Sequence, residues 1–161
     1  MSQSGNQLVN ILSGQKEYIV FLHNTNNIEI ARAIMENGFI YESQLTYSTD
    51  RINPGDPIEI NYFLVERKEY GNYTIIIQVH RSLFRQYHLL AETAGLHFEE
   101  IFTISPPVIG DNDEYIYTLS PSYIRGIFDK KSGKMIDNPN FNPSYDAPEY
   151  LENYNRLTDE K

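Results

Sequence analysis

The sequence predicts an α+β domain, in which strands and helices both contribute to one core. Two runs have the composition of buried strands: residues 17–22 (EYIVFL) and residues 73–79 (YTIIIQV), the second rich in β-branched side chains. Between them, apolar residues recur at helical spacing from Ile28 to Met35. Because both periodicities occur in a chain of 161 residues, the length of one domain, we expect a single α+β fold.

Cap and turn residues limit the elements of the first half. Residues 24–27 (NTNN) supply helix N-cap side chains, and Asn37 with Gly38 ends that helix. The chain then returns to an extended conformation at residues 39–41, and residues 44–49 form a further short strand candidate. The order strand, helix, strand, strand is therefore predicted here.

Two more helices are predicted on either side of the central strand. The turn at residues 53–57 (NPGDP), with Asp56 as N-cap, starts a helix over residues 58–69. Ser82 is expected to cap a second helix, which ends at Gly95. Each of these helices thus begins at a polar side chain that can accept a hydrogen bond from the first helical turn.

Strands dominate the prediction for the rest of the chain. Residues 98–104 and residues 114–119 are predicted strands, separated by a Ser-Pro-Pro breaker and an acidic loop. Residues 127–129 and residues 134–137 are predicted to pair as a β-hairpin across a four-residue loop.

One domain is predicted over residues 1–161. We expect an extended or flexible arm at residues 1–15, which are mostly polar. The high content of Asn, Pro and Tyr predicts an extended or flexible tail at residues 138–161 that wraps the body of the domain, with a short helix at residues 147–154. No internal repeat or linker divides the sequence.

Composition excludes several classes of function. The chain has no cysteine, which excludes disulfides, thiolate catalysis and cysteine-bound metals. A net charge of −9 at pH 7 repels phosphate backbones, so extended nucleic-acid binding is not expected. The apolar runs are too short for a membrane span, and the N-terminus has no basic start followed by an apolar stretch. We therefore expect a cytoplasmic protein without membrane contact, and leave open export without an N-terminal signal.

His23 follows the first predicted strand in the segment FLHNT, and the polar turn that begins there leads into a predicted helix. A histidine at a strand end is more often a structural hydrogen-bonding residue than a site residue. Asn24 and Thr25 add polar groups at the same turn. The context of His23, rather than the histidine alone, makes this segment a site candidate.

Tyr47 stands in the segment LTYSTD and is one of 13 tyrosines, so a core or surface role is its ordinary expectation. Ser48 and Asp50 follow it closely, and Tyr62 lies on the helix predicted after it. Two aromatic faces can enclose a flat cationic ring. Tyr47 and Tyr62 are therefore candidates for such a pair.

Glu114 opens a predicted strand in the segment NDEYIY. A glutamate at a strand start beside acidic residues such as Asp111 and Asp113 usually faces solvent. Glu99 and Glu100, on the neighbouring predicted strand, are competing candidates for a catalytic carboxylate. All three stay candidates on composition alone.

Taken in chain order, the segments around His23, Tyr47 and Glu114 resemble the His-Tyr-Glu signature of the ADP-ribosyltransferase superfamily, in its diphtheria-toxin-like and poly(ADP-ribose) polymerase-like group. HNT resembles the family's His-Gly-Thr/Ser element, with Asn24 in place of the usual glycine. YSTD resembles its Tyr-x-x-Asp element, and NDEYIY resembles the strand that carries its catalytic glutamate. The resemblance implies a split mixed β-sheet core with flanking helices.

The resemblance also implies an activity. NAD would be the substrate, its nicotinamide–ribose bond would be cleaved, and ADP-ribose would pass singly to an acceptor that the sequence does not identify. The catalytic residues would be Glu114, His23 and Tyr47. Glu114 would bind the 2′-hydroxyl of the nicotinamide ribose and stabilise the cation that forms there.

The remaining NAD contacts are implied by the same resemblance. His23 and Thr25 would orient the adenosine half, and the backbone of Asn24 would hold the nicotinamide amide. Tyr47 and Tyr62 would stack on the two faces of nicotinamide. Ser48 is the candidate for the serine that binds the carboxamide.

Two other functions remain open at this level. An inactive member of the same fold would bind a ligand or partner without turnover, as Asn24 and the absence of glycines before Tyr47 indicate. A relative of RNA 2′-phosphotransferases would share the fold, but the charge of −9 disfavours RNA. No metal site is predicted, because no histidine or carboxylate lies at a recognised metal-ligand spacing from His80, His88 or His97.

Overall fold

The computed structural model describes residues 12, 16–54, 56–62 and 71–159. In this part of the chain the fold is α+β, as predicted, and the strands form two separate sheets. The strands in chain order are β1 (Tyr18–Thr25), β2 (Phe39–Glu42), β3 (Asp50–Ile52), β4 (Tyr73–His80), β5 (Val108–Ile109), β6 (Tyr115–Leu119), β7 (Ile124–Asp129) and β8 (Lys134–Asp137). The helices are α1 (Ile28–Asn37), α2 (Pro57–Asn61), α3 (Arg81–Ala94), α4 (Phe98–Ile101) and α5 (Pro148–Asp159), with short 3-10 helices at Leu45–Tyr47 and Pro121–Tyr123.

The larger sheet has the strand order β3-β1-β4-β7-β8, which confirms residues 73–79 as a central strand. The two faces of β4 carry separate cores: Ile75 and Ile77 pack into the larger cluster of buried residues, and Ile76 packs into the smaller one. The predicted hairpin is also confirmed, with Asp129 paired to Lys134 across the four-residue loop. A strand buried on both faces explains the unbroken apolar run in the sequence.

The smaller sheet has the order β2-β6-β5 and begins directly after α1. Gly38 makes this transition with a φ of 110°, and a Cβ at this position would lie 2.5 Å from the carbonyl oxygen of Leu119. Only glycine fits such an approach without strain. The resemblance implies a split sheet of mixed strand direction. The described strands do form two sheets, and all their pairings are antiparallel.

The predicted strand at residues 44–49 is wrong, because this segment forms the 3-10 helix Leu45–Tyr47. The hydroxyl of Thr49 donates to the carbonyl oxygen of Leu45 at 2.9 Å. Local bonds of this kind offer the backbone an alternative to strand pairing. The strand next to β1 is formed instead by the following residues, β3. The segment therefore crosses from the smaller sheet, which contains β2, to the larger one.

The predicted strand at residues 98–104 is also wrong, since the chain forms helix α4 here. The backbone N–H of His97 donates to the Glu100 carboxylate at 2.7 Å, one half of a capping box. Phe98, Ile101 and Phe102 are all buried, at helical rather than strand spacing. The two acidic residues in the first turn further favour a helix N-terminus.

The helix limits agree closely with the prediction. Asn27 caps α1 by accepting from the backbone N–H groups of Glu29 and Ile30, and Asp56 caps α2 in the same way. Helix α2 is described only to Asn61, so the remainder of the predicted helix 58–69 lies mostly outside the described residues. Helix α3 is capped by His80 rather than by Ser82, which donates its backbone N–H to the imidazole.

The tail after residue 137 wraps the domain, as expected: the backbone N–H of His80 donates to the carbonyl oxygen of Pro143, and that of Asn142 to the carbonyl oxygen of Ser122. Helix α5 is longer than the expected helix at residues 147–154, and Tyr150 on it is fully buried. The predicted arm at residues 1–15 lies outside the described residues, except for the buried Leu12. Across the described residues, no helix has both the length and the apolar character needed to cross a bilayer.

Candidate functional site

His23 lies within β1, on the face that carries the larger core. Its Nδ1 atom lies 2.7 Å from the carbonyl oxygen of Ser48, and its ring packs on Phe39 with 4.8 Å between centroids. Because a carbonyl oxygen only accepts, Nδ1 carries the hydrogen, which leaves Nε2 of the neutral ring as an acceptor. The strand continues two residues past His23, so His23 lies inside the strand and not, as the sequence had indicated, at its end. Strand pairing on both sides of the residue therefore holds its backbone in place.

The hydrogen bond from His23 brings the segment of Tyr47 against β1. His23, Asn24, Tyr47 and Ser48 line one cavity of about 330 Å³, together with neighbouring residues of the same two segments. The side chain of Tyr47 is 71% exposed, so one aromatic face is available to a ligand. Four of the predicted NAD-binding residues are thus neighbours in space.

Glu114 immediately precedes β6, and its exposed carboxylate accepts a hydrogen bond from the hydroxyl of Ser43. Ser43 has a φ of 62°, and its backbone N–H donates to the carbonyl oxygen of Tyr115 at 2.9 Å. Glu114 and Tyr47 both line a second cavity, of about 290 Å³. Tyr47 is therefore a wall shared by the cavity of His23 and the cavity of Glu114.

Two of the predicted NAD-binding residues are not among the described residues that line either cavity. The hydroxyl of Thr25 accepts from the backbone N–H of Asn27 at 3.2 Å, which is a role in the turn before α1. Tyr62 ends α2 with a side chain 42% exposed. The structure thus joins His23, Asn24, Tyr47 and Ser48 in one cavity, and leaves the predicted second aromatic face outside it.

The side chain of Asn24 points to the opposite face of β1 from His23. Its oxygen accepts from the hydroxyl of Thr74 at 2.6 Å and from the ammonium of Lys130 at 3.1 Å. The register pairs Asn24 with Thr74 across the sheet. The extra atoms that Asn24 has, relative to glycine, are therefore held by β4 and the hairpin loop, away from the imidazole.

Glu99 and Glu100 have different roles in the structure. Glu100 caps α4, whereas Glu99 lines the cavity of Glu114 and accepts from the backbone N–H of Leu45 at 3.4 Å. Burial raises the pKa of Tyr117 to about 12, and the carboxylates of Glu100, Glu99 and Glu114 add to this rise. The side of the site formed by β6 and α4 is consequently acidic.

Ser43 and His97 also line the cavity of Glu114, and neither was selected as a site residue from the sequence. Ser43 reaches Glu114 because β2 pairs with β6, a contact between residues 71 positions apart. The sequence signals for α4 were a capping-box pattern at His97 and Glu100 and the two acidic residues of the first turn. They would have placed Glu99 in a helical turn rather than a strand.

The hydroxyl of Tyr41 is buried beside this site and has no hydrogen-bond partner among the described residues. Burial raises the pKa of Tyr41 well above its ordinary value, and the Glu99 carboxylate acts in the same direction. Tyr41 is therefore a neutral phenol. Its ring lies between those of Phe39 and Tyr117, which links the packing under His23 to the packing under Glu114.

The described residues contain no group of three or more histidine, aspartate or glutamate side chains that could hold a metal ion. The chemistry available at this site consists of the imidazoles of His23 and His97, several carboxylates, aromatic faces and hydroxyl groups. We compared the chain with protein-family models, curated proteins and solved structures, and none of them matches it.

Proposed function

We propose that this chain is an NAD-dependent mono-ADP-ribosyltransferase of the His-Tyr-Glu group, and that it hydrolyses NAD when no acceptor is bound. The observation that carries the proposal is the position of Tyr47, which lines one cavity with His23 and another with Glu114. The exposed side chain of Tyr47 is thus a boundary shared by two cavities, one containing His23 and the other Glu114, which lie far apart in the sequence. Cavities of about 330 and 290 Å³ lie near the lower end of the range for small-molecule sites.

In this proposal NAD lies across Tyr47. The Nε2 atom of His23 accepts a hydrogen bond from the adenosine ribose. Nε2 is available for this because Nδ1 carries the hydrogen that is donated to Ser48. Nicotinamide stacks on the exposed ring of Tyr47, since a flat cationic ring is attracted to an aromatic face. The nicotinamide ribose then lies at Glu114, in the adjoining cavity.

Bond cleavage follows from this placement. The bond between C1′ and the nicotinamide nitrogen breaks, its electron pair leaves with neutral nicotinamide, and positive charge develops on the ribose. The Glu114 carboxylate binds the ribose 2′-hydroxyl and stabilises this charge electrostatically. An acceptor or water then forms a bond to C1′ and gives up a proton. No metal is needed for these steps.

Ser43 fits this reaction as the group that orients Glu114 before NAD binds. Its hydroxyl donates to one carboxylate oxygen, and its backbone is fixed by the bond to Tyr115. The exposed position of Glu114 leaves room for a ribose hydroxyl at the other oxygen. Preorganisation of this kind lowers the cost of aligning the carboxylate in the transition state.

The test is nicotinamide release from NAD by the purified protein, run beside Glu114→Gln. The matched control is Asp113→Asn, which removes a charge of the same sign from the adjacent residue. Asp113 has a φ of 62°, a conformation that asparagine tolerates well, so the loop keeps its shape. The proposal predicts release that is lost in Glu114→Gln and retained in Asp113→Asn.

Other results would favour the other two functions. Stabilisation of the folded protein by NAD or ADP-ribose, without nicotinamide release, would select the inactive binding module. Release of a 2′-phosphate from RNA in the presence of NAD would select the phosphotransferase. Equal nicotinamide release by the wild type and Glu114→Gln would remove Glu114 from the mechanism.

A further inference from the structure

A cavity of about 410 Å³ lies at the β3 edge of the larger sheet, and the proposed function does not use it. We call it the arginine cavity, and the described residues that line it are Arg51, Ile52, Asn53, Glu59 and Arg81. None of these five is among the residues described as lining the cavity of His23 or the cavity of Glu114. The volume lies within the range of about 300–1,000 Å³ that is usual for small-molecule sites. The arginine cavity is therefore a candidate site for a second ligand.

Two cationic side chains reach the arginine cavity from different elements of the fold. Arg51 lies on β3, and Arg81 is the first residue of α3, directly after β4. The sheet order β3-β1-β4 places these two strands on either side of β1, separated by two strand spacings, or about 10 Å. Because both side chains line one cavity, their guanidinium groups approach it from two sides.

Arg81 is held in place by the segment that leads into β1. Its backbone N–H donates to the carbonyl oxygen of Glu17 at 2.9 Å, and its Nε donates to the carbonyl oxygen of Lys16 at 2.8 Å. The bond from Nε orients the planar guanidinium and leaves the two terminal nitrogens for another acceptor. The positive end of the dipole of α3, a helix of 14 residues, lies at the same residue. An anion in the cavity would therefore meet a preorganised donor.

The cationic charges at the cavity are not balanced within the described part of the chain. There the side chain of Arg51 has no hydrogen bond or ion pair, and neither arginine forms an ion pair with Glu59. Two guanidinium groups at one cavity repel each other unless an anion lies between them. A phosphate group carries up to two negative charges and at least three acceptor oxygens, so it can bind both arginines, whereas a carboxylate has one charge and two oxygens. Phosphate is therefore the anion that fits this pair best.

Glu59 indicates what the rest of the ligand must offer. This residue lies in the first turn of α2, where its backbone N–H donates to the cap residue Asp56 at 3.2 Å. Its carboxylate has no hydrogen bond among the described residues. An ionised carboxylate only accepts hydrogen bonds, so Glu59 needs a donor from the ligand. The two arginines disfavour an ammonium group beside them, which leaves hydroxyl groups as the donors that suit this position.

We infer that the arginine cavity binds a small phosphate monoester whose organic part carries hydroxyl groups, as in a sugar phosphate. The phosphate oxygens accept from the guanidinium groups of Arg51 and Arg81, and a hydroxyl group of the sugar donates to the Glu59 carboxylate. The chain has 22 acidic side chains and 13 lysines and arginines, so a ligand held only by general attraction to the protein would not be an anion. Binding of this ligand depends on the two placed arginines, and it does not rest on the proposed function.

Calorimetric titration at low ionic strength tests the binding, with glucose 6-phosphate, inorganic phosphate and glucose as titrants. We expect glucose 6-phosphate to bind more tightly than inorganic phosphate, and glucose to show no binding. Arg51→Gln should weaken glucose 6-phosphate about tenfold or more, the usual size for the loss of a hydrogen bond between charged groups. Arg32→Gln is the matched control, because Arg32 is an exposed arginine on α1 and is not described as lining the cavity. Absence of glucose 6-phosphate binding, or equal effects of both substitutions, would overturn the inference.

Glu59→Gln tests the contact with the sugar. The substitution removes the repulsion of phosphate from both phosphate titrants, so the ratio of their two dissociation constants isolates the hydroxyl contact. The preference for glucose 6-phosphate over inorganic phosphate should therefore fall about fivefold or more. Glu29→Gln is the control, since Glu29 also lies in the first turn of a helix, α1, and is exposed. An unchanged preference in Glu59→Gln, or an equal fall in both variants, would overturn the assignment of a hydroxylated ligand.

Tyr47→Ala separates this site from the proposed NAD site. Tyr47 lines the cavity of His23 and the cavity of Glu114, and it is not among the residues described as lining the arginine cavity. Glucose 6-phosphate should therefore bind to Tyr47→Ala as tightly as to the wild type. Loss of this binding would place the ligand in the proposed NAD site and overturn the inference. Binding without nicotinamide release from NAD would support the inference and overturn only the proposed function.

Discussion

The Nδ1 atom of His23 donates a hydrogen bond to the carbonyl oxygen of Ser48 across 2.7 Å. This bond joins β1 to a segment that crosses between the two sheets, and it does so through a side chain and a backbone carbonyl. It also fixes the tautomer of the imidazole. One contact therefore sets both the position of Tyr47 and the hydrogen-bonding character of His23.

Replacement of His23 by alanine should lower both activity and stability. The substitution removes the bond to Ser48 and the ring contact with Phe39, so the free energy of unfolding should fall by about 1–3 kcal/mol. Nicotinamide release should fall at least about tenfold in the folded variant. Urea denaturation and the release assay measure the two effects.

Ser48→Ala is the control for this prediction. It removes the hydroxyl and keeps the carbonyl group that His23 uses, so the urea midpoint should stay near that of the wild type. A loss of stability in Ser48→Ala equal to that in His23→Ala would show that the bond from His23 does not hold the segment.

Substitutions of Tyr47 should separate its ring from its hydroxyl. Tyr47→Phe keeps the aromatic face and should bind NAD nearly as well as the wild type. Tyr47→Ala should raise the KM for NAD about two- to tenfold, since an aromatic stack contributes about 0.5–1.5 kcal/mol. Thermal unfolding should change little in either variant, because the side chain is 71% exposed. Equal KM values for Tyr47→Phe and Tyr47→Ala would contradict stacking.

The elements with unambiguous patterns could be predicted from the sequence. Strand β4 is buried on both faces and has an unbroken apolar run, while α1 is bounded by the cap residue Asn27 and the obligatory Gly38. These signals are local, so they can be recognised without knowledge of the fold. The hairpin of β7 and β8 is likewise set by its own short loop.

The two wrong strands have a common physical cause. In residues 44–49 and residues 98–104, apolar side chains fit strand and helix spacing equally over a few residues. The outcome was decided by side-chain bonds to the backbone, from Thr49 in one case and from the capping box of Glu100 in the other. Short segments carry too few side chains for periodicity to outweigh such bonds.

Which residues meet at the site depends on strand pairing, and a single sequence does not reveal that pairing. Ser43 contacts Glu114 only because β2 pairs with β6, and Glu99 approaches both because α4 packs near the 3-10 helix. Tyr47 and Glu114 could be selected by their local segments. Their shared cavity could not, since it follows from where the two sheets meet.

Removal of the Tyr41 hydroxyl should not destabilise the fold. The hydroxyl is buried without a hydrogen-bond partner among the described residues, so Tyr41→Phe should leave the free energy of unfolding unchanged or raise it by up to about 1 kcal/mol. Urea denaturation with an unchanged m value measures this. A clear loss of stability would show that the hydroxyl has a partner in solution, such as a buried water molecule.

Tyr123→Phe is the matched comparison for Tyr41→Phe. The hydroxyl of Tyr123 donates to the carbonyl oxygen of Tyr145 and accepts from the hydroxyl of Tyr150 at 3.0 Å. Removing it leaves a partly buried carbonyl and a buried phenol short of partners, so we expect a loss of about 1–3 kcal/mol. The same chemical change should thus have effects of different size at two buried tyrosines.

Stability should depend on pH through His88. Burial and the nearby Arg51 lower the pKa of this imidazole below its usual 6.5 in the folded protein, and Glu92 opposes them. Between the folded and unfolded pKa values the unfolded chain binds more protons, so stability rises with pH in that window and is lost as pH falls below 6.5.

His88→Phe keeps a ring on Phe98 and removes the titration. As pH falls from about 7.5 to about 5.5, the unfolding temperature of the wild type should therefore decrease relative to that of His88→Phe. A difference that stays constant or grows in favour of the wild type over this range would show that the imidazole is not held in its neutral form.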